Sequence, residues 1–403
     1  MDTKKIKKLG KTILIFGGGD NQRTLIIGAK ELGYRTVVID PNEKAIGKKY
    51  ADIFELVEAK DYEKTKEIAE KYQVKGIVTC QMENPLLMMA KLAEEKNYRF
   101  PSIESIGNAR DKYLMKQAFL KSGVPCAKGF LIADIKEIYD KNILFPAILK
   151  PVDAFSSRGV YKVNCNEDIE AHFTETQYYS STGNVIIEEF IEGPEFSVES
   201  VTNNEQTYII QITQKEITPF PNTVEMAHIQ PAELTQNEWI DIETIVKNAI
   251  SALGINNCAS HAELKLTANG PKMIEIGARL GGDYITSHLV PLSTDVNIEK
   301  LTVQIAMNDF TSVPAKSNHA SIIRYLNLKP NKLVKKIAGW QKIFENKNLI
   351  HADINIKENE YTKSITDSAK RAGFVIVKGT NRTDAIGRAD ELIKKLESYI
   401  KLE

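Results

Sequence analysis

The sequence predicts a mixed α/β and α+β protein: a parallel α/β unit in front, then β-rich segments with flanking helices. Three observations predict it. Strand-like and helix-like runs alternate from residue 12 to residue 108, β-rich runs broken by Gly and Pro fill the middle, and a hairpin with period-two patterning follows at His261 to Arg279.

Thr12 to Phe16 is an apolar strand that runs into Gly17-Gly18-Gly19. Gln22 to Leu32 reads as a helix stopped by Gly33, Thr36 to Asp40 as a strand, Tyr62 to Tyr72 as a helix and Gly76 to Thr79 as a strand. Such βαβ alternation argues for a parallel sheet with helices on both faces. The triple glycine suggests a dinucleotide turn. However, Gln22 stands where the third glycine of G-x-G-x-x-G belongs, and Asp40 alone is a weak ribose signal, which argues against a nicotinamide oxidoreductase.

Arg110 to Ser122 is a helix stopped by Gly123, with Pro125 beyond it. Phe145 to Lys150 is a strand, followed by the polar loop Asp153 to Gly159 and the strand Val160 to Val163. Val185 to Phe190 and Glu195 to Val201 are strands flanking Gly193-Pro194, and Leu234 to Leu253 is an amphipathic helix ending at Gly254. From about Ser312, where Val313-Pro314 marks a boundary, strands and helices mix up to a last amphipathic helix over Asp384 to Ile400.

At 403 residues, with 42% hydrophobic and 26% charged residues, the chain suits a globular protein of two or three domains. Lys+Arg and Asp+Glu are both 53, so no basic excess points to nucleic acid. Cys80, Cys126, Cys165 and Cys258 are dispersed, without C-x-x-C, and fit small core residues in a reducing cytoplasm. No run approaches a membrane span, and the apolar stretch after Lys4, Lys5, Lys7 and Lys8 is too short for a signal peptide.

The hairpin is the most informative segment. Ala262, Leu264 and Leu266, then Ile274 and Ile276, alternate with His261, Glu263, Lys265, Glu275 and Arg279, and Ala268-Asn269-Gly270 is a turn signal. Both apolar sets reach one core if cross-strand partners sum to an even number, which an odd-length loop supplies, and Glu263 then faces Glu275. Like charges facing across a ladder make sense around a cation. The alternative is a solvated face on which Lys265, diagonal to Glu275, pairs with it. Lys112, opening a helix after Arg110-Asp111, and Lys150, ending a strand, each read alone as solvent-exposed cations, but Lys150, placed before a Ser/Gly loop and upstream of two such carboxylates, becomes a candidate phosphate ligand.

In order, ARDKYLMKQAFLKSGVP, FPAILKPVDAFSSRGV, IIEEFIEGPEFSVES, HAELKL and MIEIGARLGGD resemble the motifs of the ATP-grasp superfamily. The likeness covers nearly the whole chain. It implies a pre-ATP-grasp (Rossmann-like) domain over 1–108, a two-lobed ATP-grasp domain over 109–311 with a mobile lid at about 125–190, and a small α+β C-terminal domain over 312–403, as in biotin-carboxylase-like members. It implies ATP and Mg²⁺ (or Mn²⁺) as cofactors. Lys112 and Lys150 match lysines on the ATP phosphates, and the loop holding Ser156 and Ser157 matches the one that closes over them. Glu188, Glu189 and Ile191 match the hinge that reads adenine, with the backbone of the last two on its edge. Glu195 matches the ribose carboxylate, Glu263 and Glu275 the metal ligands, and Arg279 the arginine at the acyl phosphate.

The stretch Gln214 to Leu234 looks like one in L-amino-acid ligases that ends in a histidine followed by a proline, which implies Glu225 and His228 near the acceptor. Gly281-Gly282 would let substrate approach the backbone. Two departures stand out: relatives carry Asn where this chain has Gly277, and Ala154 and Phe155 add bulk to a loop with one glycine. The implied activity is an ADP-forming carboxylate-amine ligase for small molecules, with an amino-acid substrate and an acyl phosphate intermediate. The alternatives are a bicarbonate-activating carboxylase or purine-pathway ligase and, in another class, a nucleotide-binding protein without catalysis. Similar proteins lead to the expectation of a homodimer.

Overall fold

The computed structural model describes residues 10–154, 158–220 and 222–403. At the N-terminus a parallel sheet runs in the order Ile53–Leu56, Arg35–Asp40, Thr12–Phe16, Val74–Thr79. The helices Arg23–Glu31, Tyr62–Lys71 and Leu86–Lys96 accompany it. Three of its strands, Arg35–Asp40, Thr12–Phe16 and Val74–Thr79, have the apolar runs expected of a parallel sheet covered on both faces, whereas one edge does not. Ile53–Leu56 is an edge strand with every side chain at least partly exposed, so no alternation announces it.

The glycine-rich turn is filled by its own chain. The Asp40 carboxylate accepts from Gly18 N and Asn42 N, both at 2.7 Å, and Gly47 N donates to Gly18 O at 2.6 Å. The acid that a dinucleotide ribose would need is thus spent on backbone.

The helix expected over Arg110 to Ser122 runs over Lys112–Lys121, and Arg110 instead ends a separate helix, Ile103–Arg110. Asp111 separates them. Its backbone is extended (φ −97°, ψ 113°), and its carboxylate accepts from Tyr113 N and Leu114 N at 2.8 and 2.9 Å. Lys112 thereby becomes a first-turn residue, and its N–H donates to Val152 O at 2.8 Å, beside the strand that carries Lys150.

A four-stranded antiparallel sheet follows in the order Gly129–Ile132, Val185–Glu189, Ala147–Pro151, Tyr161–Val163. With the helix Asn166–Tyr178 it encloses a small core of its own, including Ile132, Leu149, Ile169, Phe173 and Val185. A lobe with a separate core can move as a unit.

The main body is an eight-stranded antiparallel sheet. Its order is Gly270–Gly277, Cys258–Thr267, Glu195–Asn203, Gln206–Ile217, Glu225–Gln230, Ala320–Tyr325, Gly373–Gly379, Leu349–Ile354. Residues beyond 312 thus extend this sheet, adding only the short pair Val334–Ile337 and Ile400–Leu402 as a sheet of their own. Val185–Glu189 and Glu195–Asn203 belong to different sheets, so Gly193-Pro194 is the crossing between lobes. Gly193 sits at φ +135°, and a Cβ on it would lie 2.2 Å from Leu266 O. Only glycine fits there.

The four cysteines are free, and no helix among the described residues is long and apolar enough to cross a membrane. The N-terminal unit is fused to the body. Leu14, Ile77 and Met89 share a cluster with Phe196, Leu264 and Met273, while Ile15 and Val78 share another with Ile298 and Leu301. Within that second seam Glu299 is buried, accepting from Thr24 Oγ1 at 3.0 Å and facing Cys80 Sγ at 3.7 Å.

Burial pushes the Glu299 carboxyl up to about 7. The folded chain then keeps a proton that the unfolded chain loses above pH 4.5, so this group makes stability fall as pH rises from 4.5 to about 7. Glu299→Gln removes that loss. In urea titrations it should be more stable than wild type at pH 8 and no more stable at pH 4.5. An offset equal at both pH values would contradict the assignment.

Candidate active site

Glu263 and Glu275 stand directly opposite each other on the first two strands of the large sheet. The register is the expected one, but it is reached differently. The turn has two residues, Ala268 and Asn269, and a bulge at Glu263/Leu264 passes over Ile274 and restores the pairing. Met273 therefore takes the core position expected for Ile274, and Ile274 lines a cavity instead. The ion pair expected as the alternative, Lys265 with Glu275, does not form among the described residues. Lys265 lies opposite Lys272 and Glu195, with Nζ 5.5 Å from the Phe190 ring.

Two cavities meet at these carboxylates. The smaller, about 150 Å³, lies under the lid and is lined by Lys112, Lys150, Glu188, Ile191, Phe220 and Ile274, among others. The larger, about 630 Å³, opens toward the N- and C-terminal units and touches Gln81, Arg158, His228, Arg279, Asp283 and Lys370. Glu225, Glu263 and Glu275 line both.

In the smaller cavity Glu188 is buried and holds two lysines. Lys150 Nζ lies 2.6 Å from Oε1, and Lys116 Nζ lies 2.9 Å from Oε2 as an ion pair without hydrogen-bond geometry. Burial opposes its charge, yet Lys116 and Lys150 keep the Glu188 carboxyl below the usual range. Its side chain thus braces the lysines. Lys112 Nζ lies 2.8 Å from Ala154 O and 3.3 Å from Glu275 Oε2. Glu189 donates its N–H to Lys128 O at 2.8 Å and accepts Lys272 Nζ at 2.7 Å, so of its backbone groups only the carbonyl can serve an adenine edge. Phe155, Ser156 and Ser157 lie outside the described residues.

At the junction sits Lys215, a residue with no marker in the sequence. It is buried, with Nζ 2.6 Å from Glu263, 2.9 Å from Glu195 and 3.7 Å from Glu225. The three acids come from three strands, so sequence spacing cannot show that they converge. Burial opposes the ammonium, but Glu263, Glu195 and Glu225 outweigh it and raise its pKa well above the ordinary value. In turn, Lys215 and His261 hold Glu263 well below the carboxylate range despite its burial. His261 bridges Glu199 (2.5 Å from Nδ1) and Glu263 (3.3 Å from Nε2). Burial would lower its pKa, and the two acids raise it to about 9.

A Cβ on Gly281 would lie 2.6 Å from His261 Nδ1 and 2.8 Å from the Glu199 oxygens, so its side-chain space belongs to that buried pair. Gly282 does face the larger cavity, and a Cβ on it would meet only Gln81 Oε1, at 3.5 Å. His228 Nε2 lies 3.2 Å from Asp283 Oδ2, and Asp283 is gripped by Arg371 through both oxygens at 2.7 and 2.8 Å. Arg371 stacks 3.7 Å from the centre of the Tyr325 ring. Asp283 and Arg371 carry no signal in the sequence, because the bond joins residues 88 apart.

A small lobe on its own core, a glycine crossing between lobes, and a facing carboxylate pair beside buried lysines define a two-lobed fold with a charged cleft between the lobes. Residues 143–287 match the ATP-grasp domain and residues 10–109 the ribonucleotide synthetase preATP-grasp domain, so the chain carries an ATP-grasp domain behind a preATP-grasp domain. Alanine–anticapsin ligase of Bacillus subtilis (strain 168) is 31% identical over 230 residues, 51% of this chain and 48% of that protein. The chain thus spans about half the length of this curated relative. Among solved structures, L-amino acid ligase from Bacillus licheniformis superposes with a TM-score of 0.83 at 19% identity, covering 98% of this chain and 99% of that one. Phosphoribosylglycinamide synthetase from Anaerococcus prevotii gives 0.76 at 23%, covering 98% and 99%. At these identities the structures share the fold.

The Glu188 bracket yields a stability test. Lys116→Met leaves Glu188 paired with Lys150 and should cost little. Glu188→Gln strands two buried lysines and should cost about 3–5 kcal/mol in urea unfolding. Equal losses in the two variants would mean that Glu188 does not hold both.

Proposed function

We propose that the chain is an ATP-dependent carboxylate-amine ligase whose acid is an amino acid. The observation that carries this reading is the meeting of the two cavities at Glu225, Glu263 and Glu275. A nucleotide in the smaller cavity would present its terminal phosphate where the larger one begins. The larger cavity also has mixed walls, with Arg158, Arg279 and Lys370 against Glu225, Asp283 and Asp367, which suit a zwitterion.

In this reading a substrate carboxylate oxygen attacks the γ-phosphorus of ATP and the bond to ADP breaks, leaving an acyl phosphate. An amine then attacks the acyl carbon, phosphate leaves with the bonding pair, and the amine proton passes to solvent or a cleft carboxylate. Lys112 and Lys150 neutralise the phosphates. Arg279, whose charge Glu83 reinforces against burial, faces the oxyanion. Lid closure keeps water from the mixed anhydride.

Mg²⁺ or Mn²⁺ suits the same place. Glu263 and Glu275 are hard oxygen donors that face each other across a ladder, and the strongly ionised Glu263 fits a divalent cation. Such an ion would supply charge neutralisation for phosphoryl transfer. A bicarbonate-activating reading has no comparable support in the larger cavity's mixed walls.

Release of ADP and phosphate from ATP and Mg²⁺ should require an amino acid when amino-acid pairs, single amino acids and bicarbonate are assayed separately. AMP and pyrophosphate as products would refute the acyl phosphate. Arg279→Met should lower turnover by about 10²–10³-fold. Glu275→Gln retaining full turnover would overturn the metal assignment.

A further inference from the structure

Glu275, Gly277 and Arg279 alternate along one edge of the site, and the middle position has no side chain. The space beside it is not empty. A Cβ on Gly277 would lie 2.9 Å from Oε1 of Glu83 and 3.4 Å from Cγ of Arg279. Glu83 belongs to the N-terminal unit, in the loop between Val74–Thr79 and Leu86–Lys96 that also brings Gln81 to the larger cavity. Its Oε1 accepts from Arg279 Nε at 2.6 Å, and both side chains are largely buried, 11% and 18% exposed. Arg279 Nη1 donates to Leu280 O at 3.0 Å. With two of three nitrogens held, the guanidinium plane is fixed, and among the described residues Nη2 is the nitrogen left for a ligand in the cavity that Arg279 lines.

We propose that Glu83 is a positioning residue for Arg279, reaching from the N-terminal domain into the place that a side chain at 277 would take. Gly277 is then the condition for this contact rather than a lost ligand. The contact makes the geometry of Arg279 depend on docking of the N-terminal domain. The catalytic consequence rests on the role of Arg279 in the proposed ligase reaction, whereas the positioning itself does not.

Glu83→Gln keeps size and removes charge. Gly277→Ala acts from the other side, and because the atom it meets is the end of a flexible side chain, the fold should survive while the carboxylate is displaced. In ¹H–¹⁵N spectra of the full chain, the Arg279 Nε–H, assigned by its loss in Arg279→Lys, should be a protected, downfield-shifted resonance. Both variants should shift it and speed its exchange with solvent. An unchanged resonance in Glu83→Gln overturns the proposal.

With a substrate pair that wild type turns over, both variants should lower kcat by about tenfold and leave the KM for ATP unchanged. An unchanged kcat in both overturns the catalytic consequence. A wild-type chain that turns over no ATP refutes the ligase reading, while the resonance test still decides whether Glu83 holds Arg279.

Discussion

The arrangement depends on keeping a crowd of carboxylates charged in a small volume. Glu195, Glu199, Glu225, Glu263 and Glu275 come from four strands of one sheet, with the strand that carries Lys215 lying among them, and the register sets two of them face to face. Such a cluster would drive its members to take up protons or push the strands apart. Here Lys215 and His261 occupy the centre, and Lys112 approaches from the lid side. The compensation is local and buried, so salt screens it little. It leaves Glu263 strongly ionised, the state in which a carboxylate can take a divalent cation.

The same constraint explains the distribution of functional groups among structural units. Lys215 and His261 balance part of the charge from within the same sheet, whereas Lys112 and Lys150 belong to segments leading into a lobe with its own core, and Glu83 reaches in from the parallel domain. Each unit carries charges that another must meet. Packing of the small lobe and of the N-terminal domain against the large sheet is therefore electrostatic as well as steric, and the cluster is balanced only with all units in place.

Period-two patterning located the hairpin and the facing acids, since local alternation records which face is buried. It could not show the bulge at Ile274, because an even loop with one bulged residue gives the same register as an odd loop. The break at Asp111 was equally hidden, as the apolar pattern continues through a residue whose role lies in its backbone angles. Lys116, Lys215, Glu83, Asp283 and Arg371 escaped for another reason. Their partners are far away in sequence, and a lysine in a strand looks the same whether it meets water or three carboxylates. Motif order supplied what spacing could not, but it did not show that of Gly281-Gly282 only Gly282 lines the larger cavity while the space beside Gly281 is taken by His261 and Glu199.

Gly277 and Gly281 show how one residue type records two kinds of neighbour. Both stand where a side chain would enter the site, and in both cases a carboxylate fills the space. At Gly281 the carboxylate is Glu199, from the same sheet, and it fixes His261. At Gly277 it is Glu83, from another domain, and it fixes Arg279. A side chain at 281 would therefore disturb the charge balance inside the sheet, while one at 277 would loosen the grip of the N-terminal domain on the reacting end of the cleft. The glycines are narrow because the acids beside them are crowded, and the crowding of acids is what the site uses to hold its cations.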